Sequence, residues 1–187
     1  CVDRAQITNE DVVVISGAGT LGLGMVTYAR MKNPAKLIVL DMMDSRLEKA
    51  KEFGADLVWN PSKMDVTAEI MKLTDGYGCD IYIEATGHPS SVTQGMNMIR
   101  KLGRFVEFSV FGAPTTLDWS VIGDGKELDV LGSHLSPYCF PFVIDHIHDG
   151  SLKTDGMITQ TFALEDWEKA FDYATGKYGH FKIAFVF

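Results

Sequence analysis

Cysteine is scarce in this sequence, and its placement excludes two kinds of small stabilised domain. The 187 residues include 3 cysteines, Cys1, Cys79 and Cys139, which lie far apart and are odd in number. Such a set does not form a disulfide framework, and none of its spacings matches a zinc-ligand motif. We therefore expect an ordinary hydrophobic core, for which the chain is long enough.

Long apolar runs and excess positive charge are also absent. No apolar run approaches the roughly 18–20 residues that span a bilayer, and no basic and then apolar leader opens the chain. With 17 basic and 25 acidic residues the net charge is −8, which argues against a phosphate backbone or an anionic membrane as partner. We expect a cytoplasmic globular domain with no nucleic-acid and no membrane partner.

The sequence does contain a regular alternation of short β-branched runs and longer amphipathic stretches. Residues 11–16 are a near-continuous apolar run, typical of a parallel strand covered on both faces. The helical stretch 20–32 follows and is stopped by Pro34. This alternation gives right-handed βαβ units, so it predicts an α/β fold with a doubly wound parallel sheet.

Six strands and five helices are predicted before residue 150. The strands are residues 11–16, 36–41, 56–59, 80–84, 103–108 and 128–132. The helices are residues 20–32, 44–53 with Asp44 as N-cap, 65–73, 90–99, and a last one that Pro137 opens and that runs to about residue 148.

The chain changes character near residue 151. Residues 157–162 and 182–187 have strand patterns, with a helix at 165–174 between them. We expect domain boundaries of 1–150 and 151–187, with the tail strands outside the main sheet. Because the chain begins with Cys1 about ten residues before its first strand, we also expect it to be a piece of a longer protein.

The loop after the first strand reads Gly17-Ala18-Gly19-Thr20-Leu21-Gly22, a GxGxxG motif. The string alone is a weak signal, but here it follows a buried strand and opens a helix, as the dinucleotide fingerprint requires. Gly17 permits the tight turn, Gly19 lets the backbone approach a pyrophosphate, and Gly22 allows close helix–strand packing. The motif predicts a Rossmann fold that binds NAD at the positive end of this helix, with Thr20 and Leu21 also in contact.

Asp41 and Arg46 bear on which dinucleotide is bound. Asp41 ends the second strand, nineteen residues after Gly22, where the fingerprint has an acid on the adenosine ribose. Its carboxylate would accept hydrogen bonds from ribose hydroxyls and repel the 2′-phosphate of NADP. We expect Arg46 to lie against the adenine face, with a solvated helix arginine as the alternative.

The remaining site residues are predicted from their positions in the topology of the sheet. Ligands of open parallel sheets bind beyond the carboxyl ends of the strands. That rule selects the residues that follow the fourth, fifth and sixth strands as cofactor contacts. They are Ala85, Thr86, Gly87, Ser109, Val110 and Ser133.

Other chemistry-bearing patterns do not predict a catalytic or metal site. His146 and His148 are two apart on a predicted helix, so their side chains diverge. His88 and His134 follow strands and are interpreted as structural. Two pairs have the YxxxK spacing of the short-chain dehydrogenase acid–base pair, but one lies in the phosphate-binding helix and the other contains a helix-ending glycine. These pairs are Tyr28 with Lys32 and Tyr173 with Lys177.

The motifs already described and several others follow one another along the chain in a fixed order. They are residues 11–22, Asp41 with Arg46, residues 53–56, residues 78–80 with 84–87, residues 102–104 and, in the tail, residues 149–166, Ala170 with Phe171 and Lys182 with Ile183. This ordered set resembles the cofactor domain of the zinc-dependent medium-chain alcohol dehydrogenases, along with that family's return into its catalytic domain. Residues 122–134 and 137–139 look most like the polyol branch, near the erythritol and L-threitol dehydrogenases.

The resemblance implies hydride transfer from a secondary alcohol or small polyol to NAD, with zinc as the Lewis acid. In that family the zinc ligands and proton relay lie in an amino-terminal catalytic domain, which precedes the cofactor domain. The resemblance therefore implies that this chain binds NAD but is inactive alone, with tail strands loosely packed or paired between chains. It also implies a homodimer or higher homo-oligomer.

Two alternatives remain open on the sequence. A stand-alone NAD-sensing module that regulates a partner would need no catalytic half, although the dehydrogenase-like tail argues against it. An S-adenosylmethionine-dependent methyltransferase shares the strand–glycine–helix start and an acid after the second strand. The third glycine of the loop disfavours the methyltransferase.

Overall fold

The computed structural model of the chain describes residues 1–135, 137–177 and 181–187. Their packing divides the chain into two units, Cys1–Leu152 and Lys153–Phe187. The first unit contains a six-stranded sheet with its helices, and the second contains a two-stranded sheet with a short α-helix between its strands.

The main sheet has six strands, all parallel to their neighbours. They are β1 Val12–Ser16, β2 Lys36–Leu40, β3 Leu57–Trp59, β4 Cys79–Glu84, β5 Ile99–Glu107 and β6 Asp129–Gly132. Their order across the sheet is β3-β2-β1-β4-β5-β6. The order reverses between β1 and β4, so a crevice opens at their carboxyl ends, where such sheets bind ligands. The predicted doubly wound six-stranded fold is confirmed.

Six helices accompany this sheet. They are α1 Val2–Ala5, α2 Thr20–Met31, α3 Asp44–Glu52, α4 Val66–Leu73, α5 Pro89–Met98 and α6 Phe140–His148. The helices α2 to α5 connect successive strands from β1 to β5, which gives the alternation predicted from the sequence.

The central strands are buried on both faces, which explains their unbroken apolar sequences. Val13 and Ile15 of β1 are inaccessible to solvent. Tyr82 of β4 stacks on Phe105 of β5 with ring centroids 5.5 Å apart. Helix α5 packs on this pair at Gly95, where an added Cβ would lie 2.5 Å from the Tyr82 ring. Burial of each large apolar side chain contributes about 1.5–3 kcal/mol to stability.

Helix α1 was not predicted, because a side chain distant in sequence holds it. Arg104 of β5 donates to the carbonyl oxygens of Ala5 at 2.9 Å and Gln6 at 2.7 Å. The same guanidinium pairs with both oxygens of buried Asp11, at 3.0 and 3.1 Å. A four-residue helix has no stability of its own, so no local pattern reveals it.

The junction of α5 and β5 lies earlier than predicted. Residues 90–99 were expected to be helical, but Ile99 is the first residue of β5 and pairs with Cys79 of β4. Lys126 Nζ donates to the carbonyl oxygens of Met96 and Ile99, at 2.6 Å each. These carbonyls lie where α5 ends, and a lysine from a later loop satisfies them in place of a further helical turn.

Two predicted helix starts were also wrong. Asp44 is the first residue of α3 and Met43 is its N-cap, since the Asp44 carboxylate bonds to the loop after β3 instead. Helix α6 starts at Phe140 and not at Pro137, with Pro141 in its first turn. A proline is tolerated there because that N–H has no helical partner in any case.

The second unit has its own small sheet. Its elements are β7 Ile158–Ala163, α7 Trp167–Asp172 and β8 Lys182–Val186. Strands β7 and β8 pair with each other in parallel and form a sheet separate from the six-stranded one. Large apolar side chains remain exposed in this unit, among them Trp167 at 52% and Phe171 at 61%.

Candidate functional site

The turn between β1 and α2 is built around two glycines that leave no room for a side chain. Gly17 has φ +107°, and an added Cβ would lie 2.7 Å from the Ala85 carbonyl oxygen. A Cβ on Gly22 would lie 1.9 Å from the Gly17 carbonyl oxygen. Both distances are far below van der Waals contact, so the turn closes on itself and on the loop after β4 only with glycine here.

Gly19 differs, because the chain itself does not require a glycine there. Its φ of −70° is ordinary, and the nearest atom to an added Cβ is Nη1 of Arg46 at 4.0 Å. Gly19 is the N-cap of α2, and within the described residues no side chain caps this helix. The first helical turn starts at Thr20 and Leu21, and Leu21 is 63% exposed. An anion is therefore favoured over Gly19, at the positive end of the helix.

Asp41 joins the glycine loop to the start of α3. Its side chain is 8% exposed. One oxygen accepts from the Ala18 amide at 2.8 Å, and the other accepts from the Met43 amide at 2.9 Å. Each carboxylate oxygen can accept a second hydrogen bond. Asp41 is therefore fixed by the backbone and still able to bind the paired hydroxyls of a ribose.

Arg46 lies between Asp41 and the glycine loop. Its Nη1 is 3.7 Å from an Asp41 oxygen. Its Nε is buried and has no hydrogen-bond partner in the described part of the chain. A buried N–H without an acceptor costs about 1–3 kcal/mol, so this site is incomplete without a further acceptor. The expected stacking of Arg46 on an adenine face is untested and stays a prediction.

A cavity of about 360 Å³ lies at the carboxyl ends of β1 and β2. The predicted residues Asp41 and Thr86 line it, together with others that sequence reasoning missed or set aside. Among these are Met42, Met43, Pro61, His88, Ser90 and Gln94. Most of them directly follow β2 or lie at the start of α5, so the same strand-end rule points to them. Met42 is 72% exposed and offers apolar surface beside Asp41.

The loops after β4, β5 and β6 follow one another along the same edge of the sheet. Gly87 has φ +72°, and a Cβ there would lie 2.7 Å from the Val110 carbonyl oxygen. Ser109 Oγ donates to the carbonyl at the end of β4 at 3.3 Å. The Ser133 amide donates to the Glu107 carbonyl at 2.8 Å, one strand further along. The structure thus brings together Ala85, Thr86, Gly87, Ser109 and Val110, with Ser133 beside them.

Two glutamates beneath these loops were missed by sequence reasoning. Glu84 is inaccessible to solvent, and its carboxylate accepts from the Thr86 and Gly87 amides at 2.9 and 3.2 Å. Glu107 has a buried Oε1 with no hydrogen-bond partner among the described residues. Burial and then the nearby Glu84 raise the pKa of Glu107, while the Ser109 backbone lowers it. The available signal was an acid at the last position of two strands that both end at the predicted site.

The described residues do not group as metal ligands do. No set of three histidine, cysteine, aspartate or glutamate side chains among them is placed to hold a metal ion. His88 is the N-cap of α5, where its Nδ1 accepts from the Ser90 amide at 3.3 Å. His146 Nδ1 lies 2.7 Å from Ser151 Oγ. Across the same part of the chain, no helix is long and apolar enough to cross a bilayer.

Comparison with known protein families identifies the family to which this fold and its site belong. The profile of the family described as Zinc-binding dehydrogenase matches residues 20–149, which is more than half of the chain. The chain belongs to the zinc-binding dehydrogenase family. The resemblance stated from the sequence motifs is thereby confirmed.

Within the zinc-binding dehydrogenase family, a similar curated protein is the erythritol/L-threitol dehydrogenase of Mycolicibacterium smegmatis. It is 51% identical over 177 residues, covering 94% of this chain and 49% of that protein. This chain therefore spans about half the length of the curated relative. The predicted likeness to the polyol branch is confirmed.

Solved structures of the zinc-binding dehydrogenase fold superpose closely on the chain. An alcohol dehydrogenase of Escherichia coli, described as short chain and complexed with NADH, has a TM-score of 0.87 and 31% identity. The match covers 96% of this chain and 52% of that one. A zinc-binding dehydrogenase of Sinorhizobium meliloti, described as putative and bound to NADP, has a TM-score of 0.88 and 27% identity, covering 97% and 54%. Fold likeness alone therefore does not decide between the two dinucleotides.

Replacing glycine by alanine should have opposite effects on stability at two positions of α2, Gly22 and Gly24. We expect Gly22→Ala to lower the midpoint of thermal unfolding, because its Cβ would meet the Gly17 carbonyl oxygen at 1.9 Å. Gly24→Ala is the matched control, since nothing lies within 4 Å of its added Cβ. That change should raise stability by about 0.5–1 kcal/mol through helix propensity. Equal stability of the two variants would contradict the close packing at Gly22.

Proposed function

We propose that this chain is the NAD-binding part of a zinc-type polyol dehydrogenase that transfers hydride from a secondary alcohol to NAD. The observation that carries the proposal is the open helix end at Gly19 beside the buried Nε of Arg46, which has no hydrogen-bond partner among the residues that the structure describes. An oxygen-rich anion at that point would satisfy both groups, as a pyrophosphate does in dinucleotide sites. The residues therefore fit NAD.

The adenosine half of the cofactor belongs on the β2 side of the crevice. Asp41 lies there, and each of its carboxylate oxygens can accept a hydrogen bond beyond the one from the backbone, which suits the 2′- and 3′-hydroxyls of a ribose. The cavity beside it, which includes Met42 and Thr86, has the size and apolar surface for the adenine ring. A 2′-phosphate next to the Asp41 carboxylate would be repelled, at a cost of several kcal/mol.

The nicotinamide half would then lie across the switch point, over the loops after β4, β5 and β6. When bound, the nicotinamide ring supplies the hydride acceptor. Ser109, Val110 and Ser133 stay the predicted contacts on this side, with backbone and hydroxyl groups to orient the ring. The described residues here include no group placed as an acid–base partner for an alcohol.

Zinc and the substrate site belong to the rest of the proposed enzyme. The described residues offer no metal-ligand set, so no step through zinc is derived from this chain. We propose that residues 1–150 are the cofactor domain and that residues 151–187 return into a catalytic domain. That catalytic domain would supply the zinc ligands and bind a small polyol as substrate. The exposed apolar side chains of Trp167 and Phe171 support such a return, because they need a partner surface.

The alternative, a stand-alone NAD-sensing module, has no support from the comparisons. The family of this chain and the similar proteins reported above are dehydrogenases. The cytoplasmic location stays a prediction, which three free cysteines favour. The absence of nucleic-acid and membrane partners also stays a prediction, based on the net charge of −8.

We also propose a homodimer formed along the β6 edge of the sheet. β6 is the last strand in the order and is mostly exposed, with Val130 at 44%. An open edge strand presents backbone groups that pair readily with a second chain. Exposed Phe140 and Ile144 on α6, at 69% and 60%, add apolar surface for a second copy to cover.

Cofactor binding tests the proposed function directly. In titrations that follow nicotinamide fluorescence, NADH should bind at least about a hundredfold more tightly than NADPH, given several kcal/mol of repulsion at Asp41. Asp41→Ser should bring the two affinities to within about tenfold, because the repelling charge is gone. Thermal unfolding should be checked in parallel, since Asp41 also holds two backbone amides.

Asp124→Ser is the matched control, as Asp124 is exposed and remote from the glycine loop. It should leave the preference unchanged. Tighter binding of NADPH than NADH would overturn the role of Asp41, and no binding of either by a folded chain would overturn the NAD proposal for this chain.

The edge-strand proposal predicts the mass in solution. Sedimentation equilibrium should give a dimer for the chain and a monomer for Val130→Lys, because a lysine on an edge strand opposes pairing. Leu73→Lys changes an apolar side chain of similar exposure, 40%, on α4, and should stay dimeric. A monomeric parent chain would contradict the edge-strand dimer.

A further inference from the structure

A buried asparagine lies beside the segment that carries Asp41. Asn60 is the first residue after β3, and it is 6% exposed. Leu40 of β2 and Trp59 of β3 are the last register partners of their strands, so Asp41 and Asn60 leave the sheet as neighbours. The Asp41 amide donates to the Trp59 carbonyl oxygen at 3.3 Å. Asn60 is therefore placed to act on the chain that follows β2.

The side-chain amide of Asn60 uses all of its hydrogen-bonding groups. Nδ2 donates to the Met42 carbonyl oxygen at 3.0 Å and to Asp44 Oδ1 at 2.8 Å. Oδ1 accepts from the Ser62 amide at 3.0 Å and from Ser62 Oγ at 2.6 Å. An asparagine has two donor hydrogens and an oxygen that accepts twice. Since a carbonyl oxygen and a carboxylate only accept, Nδ2 is the end that faces the segment after β2.

The two acceptors of Nδ2 lie on either side of a backbone group that holds Asp41. The Met43 amide donates to Asp41 Oδ1 at 2.9 Å. Met43 lies between Met42 and Asp44, and both of these are hydrogen-bonded to Asn60. Asn60 therefore fixes the chain on both sides of one of the backbone donors to the Asp41 carboxylate.

Side-chain burial does little to hold this segment in place. Met42 is 72% exposed and Met43 is 43% exposed, so neither side chain anchors the segment in the core. The one Nδ2 group of Asn60 supplies two hydrogen bonds to it instead. Because Asn60 is itself buried and hydrogen-bonded through Oδ1, it gives the segment a fixed point of attachment.

We propose that Asn60 is a positioning residue that sets the preference for NAD over NADP by holding Asp41 in place. It acts through Met42 and Asp44. A carboxylate held at one point binds ribose hydroxyls at a lower entropic cost, and it keeps its charge where a 2′-phosphate would lie. The statement that Asn60 holds Asp41 stands on the chain alone, and the statement about preference rests on the proposed function.

The hydrogen bonds of Asn60 are tested first, in the unaltered chain and without cofactor. In a chain labelled with ¹⁵N, the Nδ2 hydrogens of Asn60 should exchange with water at least about tenfold more slowly than those of Asn9, which is exposed. Equal exchange at the two residues would overturn the proposal. This measurement does not depend on the folding of any variant.

The hold on Asp41 is tested by amide exchange in Asn60→Ala, again without cofactor. The Met43 amide should exchange about tenfold faster than in the parent chain, because the segment has lost both bonds from Nδ2. The Val12 amide is the matched control, since it also donates to a carboxylate, that of Asp80, at 2.7 Å. Its exchange should not change. Equal acceleration at Met43 and Val12 would show general destabilisation and would contradict a specific hold on Asp41.

The preference is tested by titrations with NADH and NADPH that follow nicotinamide fluorescence. Asn60→Ala should weaken NADH binding by about tenfold without weakening NADPH binding, because only NADH depends on the placement of the Asp41 carboxylate. Ser62→Ala is the matched control. It removes the 2.6 Å hydrogen bond at the other end of the same amide and leaves Nδ2 in place, so it should keep the preference of the parent chain.

The outcomes separate this proposal from the proposed function. If the Met43 amide behaves as expected but the parent chain does not bind NADH, the proposed function fails and the hold of Asn60 on Asp41 stands. If NADH binds and Asn60→Ala keeps the preference of the parent chain, the specificity role of Asn60 fails and the proposed function stands. An equal loss of preference in Ser62→Ala would also overturn that role, because any loosening after β3 would then be enough.

Discussion

The approach of α2 to the end of β1 constrains the rest of the first unit. Gly22 packs so closely on the Gly17 carbonyl that an added Cβ would lie 1.9 Å from it. Gly17 in turn contacts the Ala85 carbonyl at the end of β4. This packing brings the positive end of α2 to the crevice between β1 and β4, and leaves Gly19 as the open position between two closed ones. Asp41 and Arg46 are arranged around that opening. Asp41 is fixed by backbone amides, and Arg46 has a buried N–H that lacks an acceptor within the described part of the chain.

A second set of contacts ties the other half of the crevice together. Glu84 holds the loop after β4 with its carboxylate and the loop after β5 with its carbonyl, while the Glu107 carbonyl holds the loop after β6. The crevice therefore has a close-packed glycine turn on one side and, on the other, three loops that are hydrogen-bonded to the last residues of β4 and β5. In the proposed function, a dinucleotide lies across the switch point with its adenosine half at Asp41 and its nicotinamide half at these three loops.

Sequence reasoning reached the fold and part of the site because these depend on local patterns. Unbroken apolar runs marked β1, β2 and β4, and the glycine spacing marked the turn into α2. What it missed depends on residues far apart in the chain. Helix α1 is held by Arg104, 99 residues away from Ala5, and α5 ends where Lys126 takes its carbonyls. In the sequence Glu84 is only a polar residue at the end of a strand, and the register of β4 and β5 is what places it beside Glu107. The roles of the predicted site residues, including Ser133 and Val110, stay predictions.

The central claim is that this chain holds NAD across the β1–β4 switch point, with the pyrophosphate over Gly19. A crystal structure of the chain grown with NADH tests it most directly. The claim predicts the pyrophosphate within hydrogen-bond distance of the first amides of α2, an acceptor oxygen on Arg46 Nε, and the adenosine ribose hydroxyls on Asp41. NADH bound elsewhere on the sheet, or bound at this crevice with its ribose away from Asp41, would contradict the account.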